Sequence, residues 1–332
     1  MGTSLQHDIE QAAALLRTAT DVTLLAHVRP DADALGSALA LGRVLHRRGA
    51  KVRVSFGTPA EMPESLRPLD VDGLFTPLDR LPESEPLLIA LDTPSPARLG
   101  VLAARVDTTK DAGGEVLVVD HHASNLGYGT RHVVDDAAEA TVVLVLKLID
   151  ALGEEVDAPV ATCLYAGLVT DTAGFRLAKP STHHTAARLI EAGADPAAIA
   201  RDIVDDHPFA WLPMLSSVLS TARLEPEGAQ GFGFVHAVVS IEAAASVRLE
   251  EIEGVIDVVR CVRDAGVAAV LKPAGPAGWS VSLRSAGRID VSMAAKALGG
   301  GGHRLAAGCT LQGTADEALA RIREALATAP LL

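Results

Sequence analysis

Cysteine is scarce in this sequence, with three residues in a chain of 332. They stand far apart, at Cys163, Cys261 and Cys309, and no two of them form a CxxC pair. The spacing therefore argues against a disulfide framework and against a zinc site built from thiolates. An odd number of distant cysteines is typical of a reducing compartment, and we expect a cytoplasmic protein.

Long apolar runs and aromatic side chains are also lacking. No stretch approaches the roughly 20 consecutive apolar residues of a membrane-spanning helix, so we expect no membrane partner. The first residues have no basic region ahead of an apolar one, which predicts an amphipathic helix rather than a signal peptide. Aromatic residues make up 3% of the chain and hydrophobic residues 48%, so the core must be built from Ala, Val and Leu.

Positive charge is the third deficit. The chain has 29 Lys and Arg against 42 Asp and Glu, a net charge of −13, and no run rich in Lys or Arg. Proteins that bind long nucleic acids use basic surfaces that release counterions from the phosphate backbone. A binder of long nucleic acid is therefore disfavoured, whereas a small anionic substrate held by a few arginines and metal ions remains open.

The length predicts two domains, and the pattern of the chain changes near residue 231. The N-terminal part alternates short apolar strands with helices, as in an α/β fold, with strands predicted at 22–26, 51–56, 87–91 and 116–119 and helices at 138–152, 159–169, 181–192 and 196–204. A connecting helix is predicted at 208–222, and a second sheet with strands at 232–239, 267–271 and 279–284 and helices at 255–262 and 291–298. We therefore place an N-terminal domain at 1–205, a helical linker at 206–228 and a C-terminal domain at 229–332.

Three of the predicted strands end directly on acidic or histidine residues. The carboxyl ends of strands in an open α/β sheet are where functional side chains gather. Each aspartate could instead cap the helix that follows it, but that explanation would have to hold three times over. With an aspartate that follows the helix at 159–169, the candidates are His27, Asp31, Asp33, Asp92, His121 and Asp171, with Asp120 and His122 beside them.

Crowded carboxylates and imidazoles need a cation to neutralise them. A donor set without thiolates suits Mn²⁺, and to a lesser degree Mg²⁺, cobalt, iron or zinc. The number of donors exceeds the needs of one ion and fits a pair about 3.5–4 Å apart, which clamps a phosphoryl group and activates water. Asp92 ends the central strand and is the best candidate for a carboxylate that bridges the two ions.

The order of these motifs resembles the DHH phosphoesterase superfamily. The segments that carry the resemblance are HVRPDADALGSALAL, the LDT strand end at Leu91–Thr93, VVDHHASN and LYAGLVTDTAGFR. In the C-terminal part, VSLRSAGRIDVSMAAKALGGGGHRLAAGCTL is similar to the DHH-associated substrate-binding domain with its GGGGH signature. The resemblance covers residues 22–326 and implies a parallel-sheet N-terminal DHH domain and a smaller α/β C-terminal domain with a mixed sheet. One departure is Ala173, which stands where the family commonly has glycine.

The resemblance also implies a role for each site residue. His27, Asp31 and Asp92 would hold one Mn²⁺, and Asp33, Asp92, His121 and Asp171 the second. His122 would lie near the scissile phosphate, and Asp120 would orient the imidazoles. Phosphate or base of the terminal nucleotide would be bound by Arg284, Ser285, Gly301, Gly302, His303 and Arg304. Taken alone, GGGGH could equally be a flexible turn, and its pairing with Arg284 favours the binding role.

The implied function is a metal-dependent phosphoesterase of the stand-alone oligoribonuclease type. Such enzymes degrade nano-RNA and pApA to mononucleotides, dephosphorylate 3′-phosphoadenosine 5′-phosphate (pAp), and in some bacteria cleave cyclic di-AMP; the resemblance also allows a homodimer. Three alternatives stay open: a catalytically weak cyclic-dinucleotide-binding protein, a single-strand-specific exonuclease of longer nucleic acid, and a binuclear hydrolase of another bond such as an amide. The full set of six ligands argues against the first, and the Arg284 anion site against the last.

Overall fold

The structure is a computed structural model and describes residues 2–275 and 278–332. The chain divides into two compact units, Met1–Asp206 and His207–Leu332. Each unit has its own sheet and its own apolar core. None of the helices in the described ranges has both the length and the apolar character needed to cross a bilayer.

The first unit is a five-stranded parallel sheet in the order β2-β1-β3-β4-β5. A 3₁₀ segment, Pro96–Leu102, precedes α3, and a π-helical turn, Ala200–Val204, follows α7. The elements are α1 (Gly2–Arg17), β1 (Asp21–Leu25), α2 (Ala32–Arg47), β2 (Lys51–Ser55), β3 (Leu87–Leu91), α3 (Arg105–Asp111), β4 (Glu115–Asp120), β5 (Arg131–Val134), α4 (Thr141–Leu152), α5 (Ala158–Asp171), α6 (Pro180–Glu191) and α7 (Pro196–Ile199).

Side chains alternate between the two faces of this sheet, and each face is covered. On β3, Leu87, Ile89 and Leu91 pack into the large core made with α1, α2, α4 and α5. Leu88 points the other way, into a small cluster with Leu99 of the 3₁₀ segment and residues of α3. Strand β3 is buried along its whole length and has no polar side chain, so polar side chains begin at the residues that follow it.

The second unit is a six-stranded mixed sheet in the order β10-β11-β9-β8-β7-β6, in which only the β7–β8 pair is parallel. One face packs on α13 and α14, and the other on α8, α10, α11 and α12. The elements are α8 (Trp211–Ser220), β6 (Arg223–Glu225), α9 (Gly228–Gly231), β7 (Phe234–Val238), α10 (Ile241–Ala245), α11 (Leu249–Glu253), α12 (Val255–Val259), β8 (Val267–Pro273), β9 (Gly278–Ser285), α13 (Val291–Ala297), β10 (Gly301–Gly302), β11 (Ala306–Gln312) and α14 (Ala315–Thr328).

The predicted fold class, a parallel sheet followed by a smaller mixed α/β domain, is confirmed. Of the linker that we predicted at 206–228, residues 207–228 lie in the second unit. Their helix α8 packs through Met214 and Val218 into the core of that unit. The helix predicted from residue 138 begins at Thr141, because Ala140 is extended with φ −162°. The sequence pattern also missed β11, whose Ala-Ala-Gly-Cys segment lacks the β-branched residues that favour strands.

Candidate functional site

The strand ends bring His27, Asp92 and His121 together in the first unit. Strands β1, β3 and β4 are neighbours and run parallel, so the residues that follow them share one edge of the sheet. Oδ2 of Asp92 lies 3.4 Å from Nε2 of His27, and Oδ1 of Asp92 lies 3.5 Å from Nε2 of His121. All three side chains are buried. The carboxylate of Asp92 thus stands between two imidazoles, one toward each of its oxygens.

Asp31 both caps helix α2 and faces this cluster. Its Oδ1 accepts the backbone N–H of Ala34 at 2.9 Å, as an N-cap aspartate does. Its Oδ2 lies 3.5 Å from Nε2 of His27. The capping explanation is therefore right for Asp31, but it leaves the second oxygen directed at the site.

Asp33, in the first turn of α2, is held by the N-terminus of α4. Its Oδ2 accepts the backbone N–H of Thr141 at 2.8 Å, and its Oδ1 accepts that of Val142 at 2.9 Å. Only 1% of the residue is exposed. Nε2 of His121 lies 3.9 Å from Oδ2 of Asp33 and 3.5 Å from Oδ2 of Asp171, the last residue of α5. The other three predicted ligands, Asp31, Asp33 and Asp171, therefore each lie within 4 Å of Nε2 of one of the two imidazoles.

The histidine rings are oriented as metal-binding imidazoles usually are. Nδ1 of His27 lies 2.9 Å from the carbonyl of Val28, and Nδ1 of His121 lies 3.3 Å from that of Ala138. A carbonyl only accepts hydrogen bonds, so Nδ1 carries a proton and Nε2 is the nitrogen that faces the carboxylates. The Nε2–oxygen distances of 3.4–3.9 Å exceed most hydrogen bonds and suit separate ligands around a shared cation.

The electrostatics of the cluster also call for positive charge. Burial, and then the charges of Asp92 and Asp171, hold the pKa of Asp33 well above its usual range. Burial alone would lower the pKa of His27, but the carboxylates of Asp31 and Asp92 outweigh it and raise the pKa to about 10. Burial likewise opposes the ionisation of Asp92, yet the three surrounding histidines bring its pKa below the usual range. The carboxylates of Asp31 and Asp92 thus favour positive charge on His27, a charge that a divalent cation held by these donors would also supply.

Among the groups of donor atoms that all lie within 4.8 Å of one another, two are made up entirely of predicted metal ligands. The first donor group is His27, Asp31 and Asp92, and the second is Asp33, Asp92 and His121. Both contain Asp92, each through a different oxygen. Nitrogen and carboxylate donors without thiolates fit divalent ions of the Mn²⁺ and Mg²⁺ type. These acidic and histidine groups could therefore hold metal, and the assignment of individual ligands stays a prediction.

His122 and Asp120 form a separate hydrogen-bonded pair beside the donor groups. Nδ1 of His122 donates to Oδ1 of Asp120 at 2.8 Å and lies 3.5 Å from Oδ1 of Asp92. Burial opposes protonation of His122, but the hydrogen bond to Asp120 and the charges of Asp92, Asp120 and Asp171 together outweigh it and raise the pKa of His122 to about 9. Asp120 thus orients His122, whereas His121 is oriented by the carbonyl of Ala138. The hydrogen bond to His122 supports the prediction that Asp120 orients the imidazoles, and that role stays a prediction.

Sequence reasoning assigned no role to two residues that contact this site. Asn125 donates from Nδ2 to Oδ2 of Asp120 at 2.6 Å and so fixes the carboxylate that holds His122. Thr141 donates from Oγ1 to Oδ1 of Asp92 at 2.9 Å. Asn125 stands in the VVDHHASN segment, which was the available signal. Thr141 was hidden because the predicted helix began three residues too early.

Two positions near the site have backbone conformations that residues other than glycine rarely adopt. Asp92 has φ +54° and Ala173 has φ +52°, both in the left-handed region. Such strain persists where the surrounding structure enforces it, commonly at functional sites. The glycine that the family has in place of Ala173 would adopt this conformation without the steric cost.

The second unit gathers the six predicted substrate-binding residues at one end of its sheet. Arg284 on β9 is paired with Ala306 on β11, and β11 forms a hairpin with Gly301–Gly302 of β10. His303 and Ala306 exchange backbone hydrogen bonds of 2.7 and 3.1 Å across the turn, which includes Arg304. Gly302 has φ +137°, and a Cβ there would lie 2.6 Å from the carbonyl of Ala306, so the hairpin needs glycine.

Ser285 and Arg304 are tied to the same region. Oγ of Ser285 accepts the backbone N–H groups of Gly287 and Ile289 at 3.2 and 3.3 Å, and its own N–H donates to the carbonyl of Leu305. The Arg304 side chain is 78% exposed, with Nε 3.9 Å from Oδ2 of Asp290. The structure therefore brings these residues together, and their contact with a nucleotide stays a prediction.

Comparison with known proteins agrees with both halves of the chain. Residues 21–168 match the model of the DHH family, N-terminal domain, and residues 233–328 that of the DHHA1 domain. The chain is 34% identical over 309 residues to the bifunctional oligoribonuclease and PAP phosphatase NrnA of Thermus thermophilus, covering 92% of this chain and 89% of that protein. It is 28% identical over 316 residues to the cyclic-di-AMP phosphodiesterase PdeA of Listeria monocytogenes, covering 89% of this chain and 45% of the relative.

Among solved structures, an exopolyphosphatase-related protein from Bacteroides fragilis superposes with a TM-score of 0.84 at 22% identity, covering 97% of this chain and 96% of its own. RecJ of Thermus thermophilus in complex with Mn²⁺ has a TM-score of 0.52 at 19% identity, covering 98% of this chain and 55% of RecJ. At these identities the likeness concerns the fold. The chain belongs to the DHH family, with an N-terminal DHH domain and a C-terminal DHHA1 domain.

Proposed function

We propose that this protein is a metal-dependent phosphoesterase that hydrolyses short oligoribonucleotides, such as nano-RNA and pApA, to mononucleotides and dephosphorylates pAp. The observation that carries the proposal is the carboxylate of Asp92, which faces His27 through one oxygen and His121 through the other. A shared carboxylate between two donor groups suits a pair of divalent ions, for which we propose Mn²⁺. The substrate class is supported by the 34% identity to a bifunctional oligoribonuclease and PAP phosphatase.

The roles of the residues follow from their surroundings. When bound, the ions would supply an activated water and neutralise the charge that builds up on the phosphoryl oxygens. His122, with Nδ1–H held by Asp120, is oriented to donate a proton from Nε2 to the leaving oxygen. Asp33 and Asp31 are fixed by helix N-termini before any substrate arrives. We expect the site to need little rearrangement for catalysis, as preorganised sites do.

The second unit would supply binding energy away from the reacting phosphate. We propose that Arg284, Ser285, Gly301, Gly302, His303 and Arg304 bind the terminal nucleotide. Guanidinium groups bind phosphate through several donors, and glycine backbone lets N–H groups approach it closely. Positioning the substrate in this way raises the effective concentration of the scissile phosphate at the ions.

A second candidate substrate is cyclic di-AMP. The observation in its favour is the 28% identity to a cyclic-di-AMP phosphodiesterase. That relative is about twice as long as the matched segment, since the chain covers 45% of it. We therefore rank cyclic di-AMP below the short linear substrates.

The test is a side-by-side assay of purified protein with Mn²⁺ on pApA, pAp, cyclic di-AMP and a long single-stranded RNA. We expect mononucleotides from pApA and AMP from pAp, both abolished by EDTA and restored by Mn²⁺. Binding of cyclic di-AMP without products would instead indicate a sensor, and preference for the long RNA an exonuclease. Hydrolysis of an amide substrate but of no phosphoester would contradict the proposal.

Two further expectations belong with this function. The three cysteines are unpaired and Cys261 is exposed, which suits the reducing cytoplasm that we propose as the location. The homodimer rests on the family resemblance alone. Light scattering of the purified chain tests it directly.

A further inference from the structure

Helix α4 begins without a capping side chain of its own. Ala140 at its N-cap offers no hydrogen-bonding side chain, so the first N–H groups of the helix depend on another segment. Asp33 accepts from both Thr141 and Val142, one oxygen for each. The N-terminus of α4 is therefore fastened to a predicted metal ligand of α2, more than a hundred residues earlier in the chain.

Thr141 makes a second contact with the site through its side chain. Its Oγ1 donates to Oδ1 of Asp92 at 2.9 Å, and the residue is fully buried. Oδ1 is the oxygen that lies 3.5 Å from Nε2 of His121, whereas Oδ2 faces His27. Thr141 is thus in direct contact with the two carboxylates of the second donor group, Asp33 through its N–H and Asp92 through its hydroxyl.

We propose that Thr141 is a positioning residue that fixes Asp33 and Asp92 relative to each other, and so sets the metal affinity of the second donor group more than that of the first, because both carboxylates that it contacts belong to the second donor group. The inference rests on the proposed function in that it assumes two ion sites. The hydrogen bond from the Thr141 hydroxyl to Oδ1 restrains the rotation of the Asp92 carboxylate. It leaves the remaining lone pair of Oδ1 directed toward His121. Groups that orient metal ligands in this way typically change metal affinity by roughly ten- to a hundredfold when they are removed.

The decisive variant is Thr141→Val, which keeps the branched shape and the backbone N–H but removes the hydroxyl. Titration with Mn²⁺ by calorimetry should show one of two dissociation constants raised roughly ten- to a hundredfold and the other raised less, since the first donor group shares Asp92 but not Asp33. Thr141→Ser, which keeps the hydroxyl, should bind both ions nearly as the wild type does. If the valine variant folds poorly, Thr141→Ala should show the same difference between the two Mn²⁺ dissociation constants.

A matched control is available in the same unit. Thr109 on α3 is also fully buried and donates from Oγ1 to a buried carboxylate, Oε2 of Glu85, at 3.1 Å. Thr109→Val should lower thermal stability as the loss of a buried hydrogen bond does, without changing either Mn²⁺ constant. A purely structural role for Thr141 would make the two variants alike.

The outcomes separate this inference from the proposed function, because hydrolysis of pApA is measured in parallel. Unchanged Mn²⁺ binding in Thr141→Val, equal weakening of both ions, or failure of Thr141→Ser to restore binding would overturn the inference in an otherwise active enzyme. A wild type that binds one ion or none would overturn it as well. Two ions bound, the expected split in Thr141→Val and no hydrolysis would support the inference and contradict the proposed function.

Discussion

Gly167 on α5 tests how closely the site depends on helix packing. A Cβ at this position would lie 2.6 Å from Cγ1 of Val142, 2.9 Å from Cα of Asp33 and 3.0 Å from its Oδ1. Alanine in a helix interior is normally about 1 kcal/mol better than glycine. Overpacking of a tight core costs about 1–3 kcal/mol, and here relief requires the backbone at Asp33 to move. Because the backbone has to move, we expect a cost in the upper part of that range. After the gain from alanine is subtracted, Gly167→Ala should lose about 1–2 kcal/mol of unfolding free energy. It should also bind Mn²⁺ more weakly, because Asp33 is displaced.

The tyrosines and tryptophans of the chain allow the unfolding of each unit to be followed separately. Both tyrosines lie in the first unit and both tryptophans in the second, at Tyr128, Tyr165, Trp211 and Trp279. Tyrosine absorbance therefore follows the unfolding of the unit that carries the mutation, and tryptophan fluorescence follows the other. In EDTA, the midpoint of the transition seen by tyrosine should fall by roughly 2–8 °C, since 1 kcal/mol corresponds to about 2–4 °C at this size.

Gly42→Ala in α2 is the control for helix propensity. There the three atoms nearest to a Cβ would be side-chain carbons of Leu74, Val52 and Val54, each at 3.3 Å. We expect it to keep most of the gain that alanine brings to a helix. If Gly167→Ala were as stable as Gly42→Ala and bound Mn²⁺ with unchanged affinity, the argument from close packing at Asp33 would be wrong.

Four further predictions address the site, its strain and the substrate. Asp92→Ala should abolish hydrolysis and lose Mn²⁺-induced thermal stabilisation while staying folded. The control is Asp107→Ala, at an exposed aspartate, which should keep both properties. Full activity of Asp92→Ala would contradict the bridging role. Arg284→Ala should raise KM for nucleotides about ten- to a hundredfold and change KM for a small chromogenic phosphodiester little. The control is Arg263→Ala, at an exposed arginine, which should leave KM for nucleotides unchanged. Equal losses on both substrates in Arg284→Ala would refute the binding role. Ala173→Gly should stabilise the first unit by up to about 1 kcal/mol in urea unfolding, because relief of the left-handed conformation exceeds the entropy that glycine loses; destabilisation would show that the strain is absent. Finally, kcat/KM should be higher for a dinucleotide than for long RNA and change little with salt, since phosphates outside the site meet a chain of net charge −13; a preference for long RNA at low salt would reveal a basic track.

The sequence was informative where one physical rule decides the outcome. Strands β1, β3 and β4 are short apolar runs bounded by polar residues, and the parallel arrangement forces His27, Asp92 and His121 to the same edge. No knowledge of side-chain packing is needed for that step. The same rule explains why these residues could be grouped before any distance was known.

Contacts between distant segments could not be predicted in this way. The start of α4 is set by Asp33, so local propensity placed it at residue 138 instead of Thr141. Strand β11 exists because it pairs with β9, and its own residues favour a strand weakly. The proposed role of Thr141 could not be predicted for the same reason, since it depends on the Asp92 carboxylate, which only the fold brings near.

The two aspartates of the α2 turn explain how such a crowded site can exist before a cation arrives. Asp31 accepts an N–H of its own helix, and Asp33 accepts two N–H groups of α4. Helix N-termini carry a partial positive charge, so each carboxylate is partly stabilised by backbone dipoles rather than by a mobile counterion. The helices and the ligands therefore hold each other in place: loss of the carboxylate uncaps the helix, and loss of the helix releases the carboxylate. Because these carboxylates are fixed by the same bonds that fix the fold, we expect binding of a cation to require little reorganisation of Asp31 and Asp33.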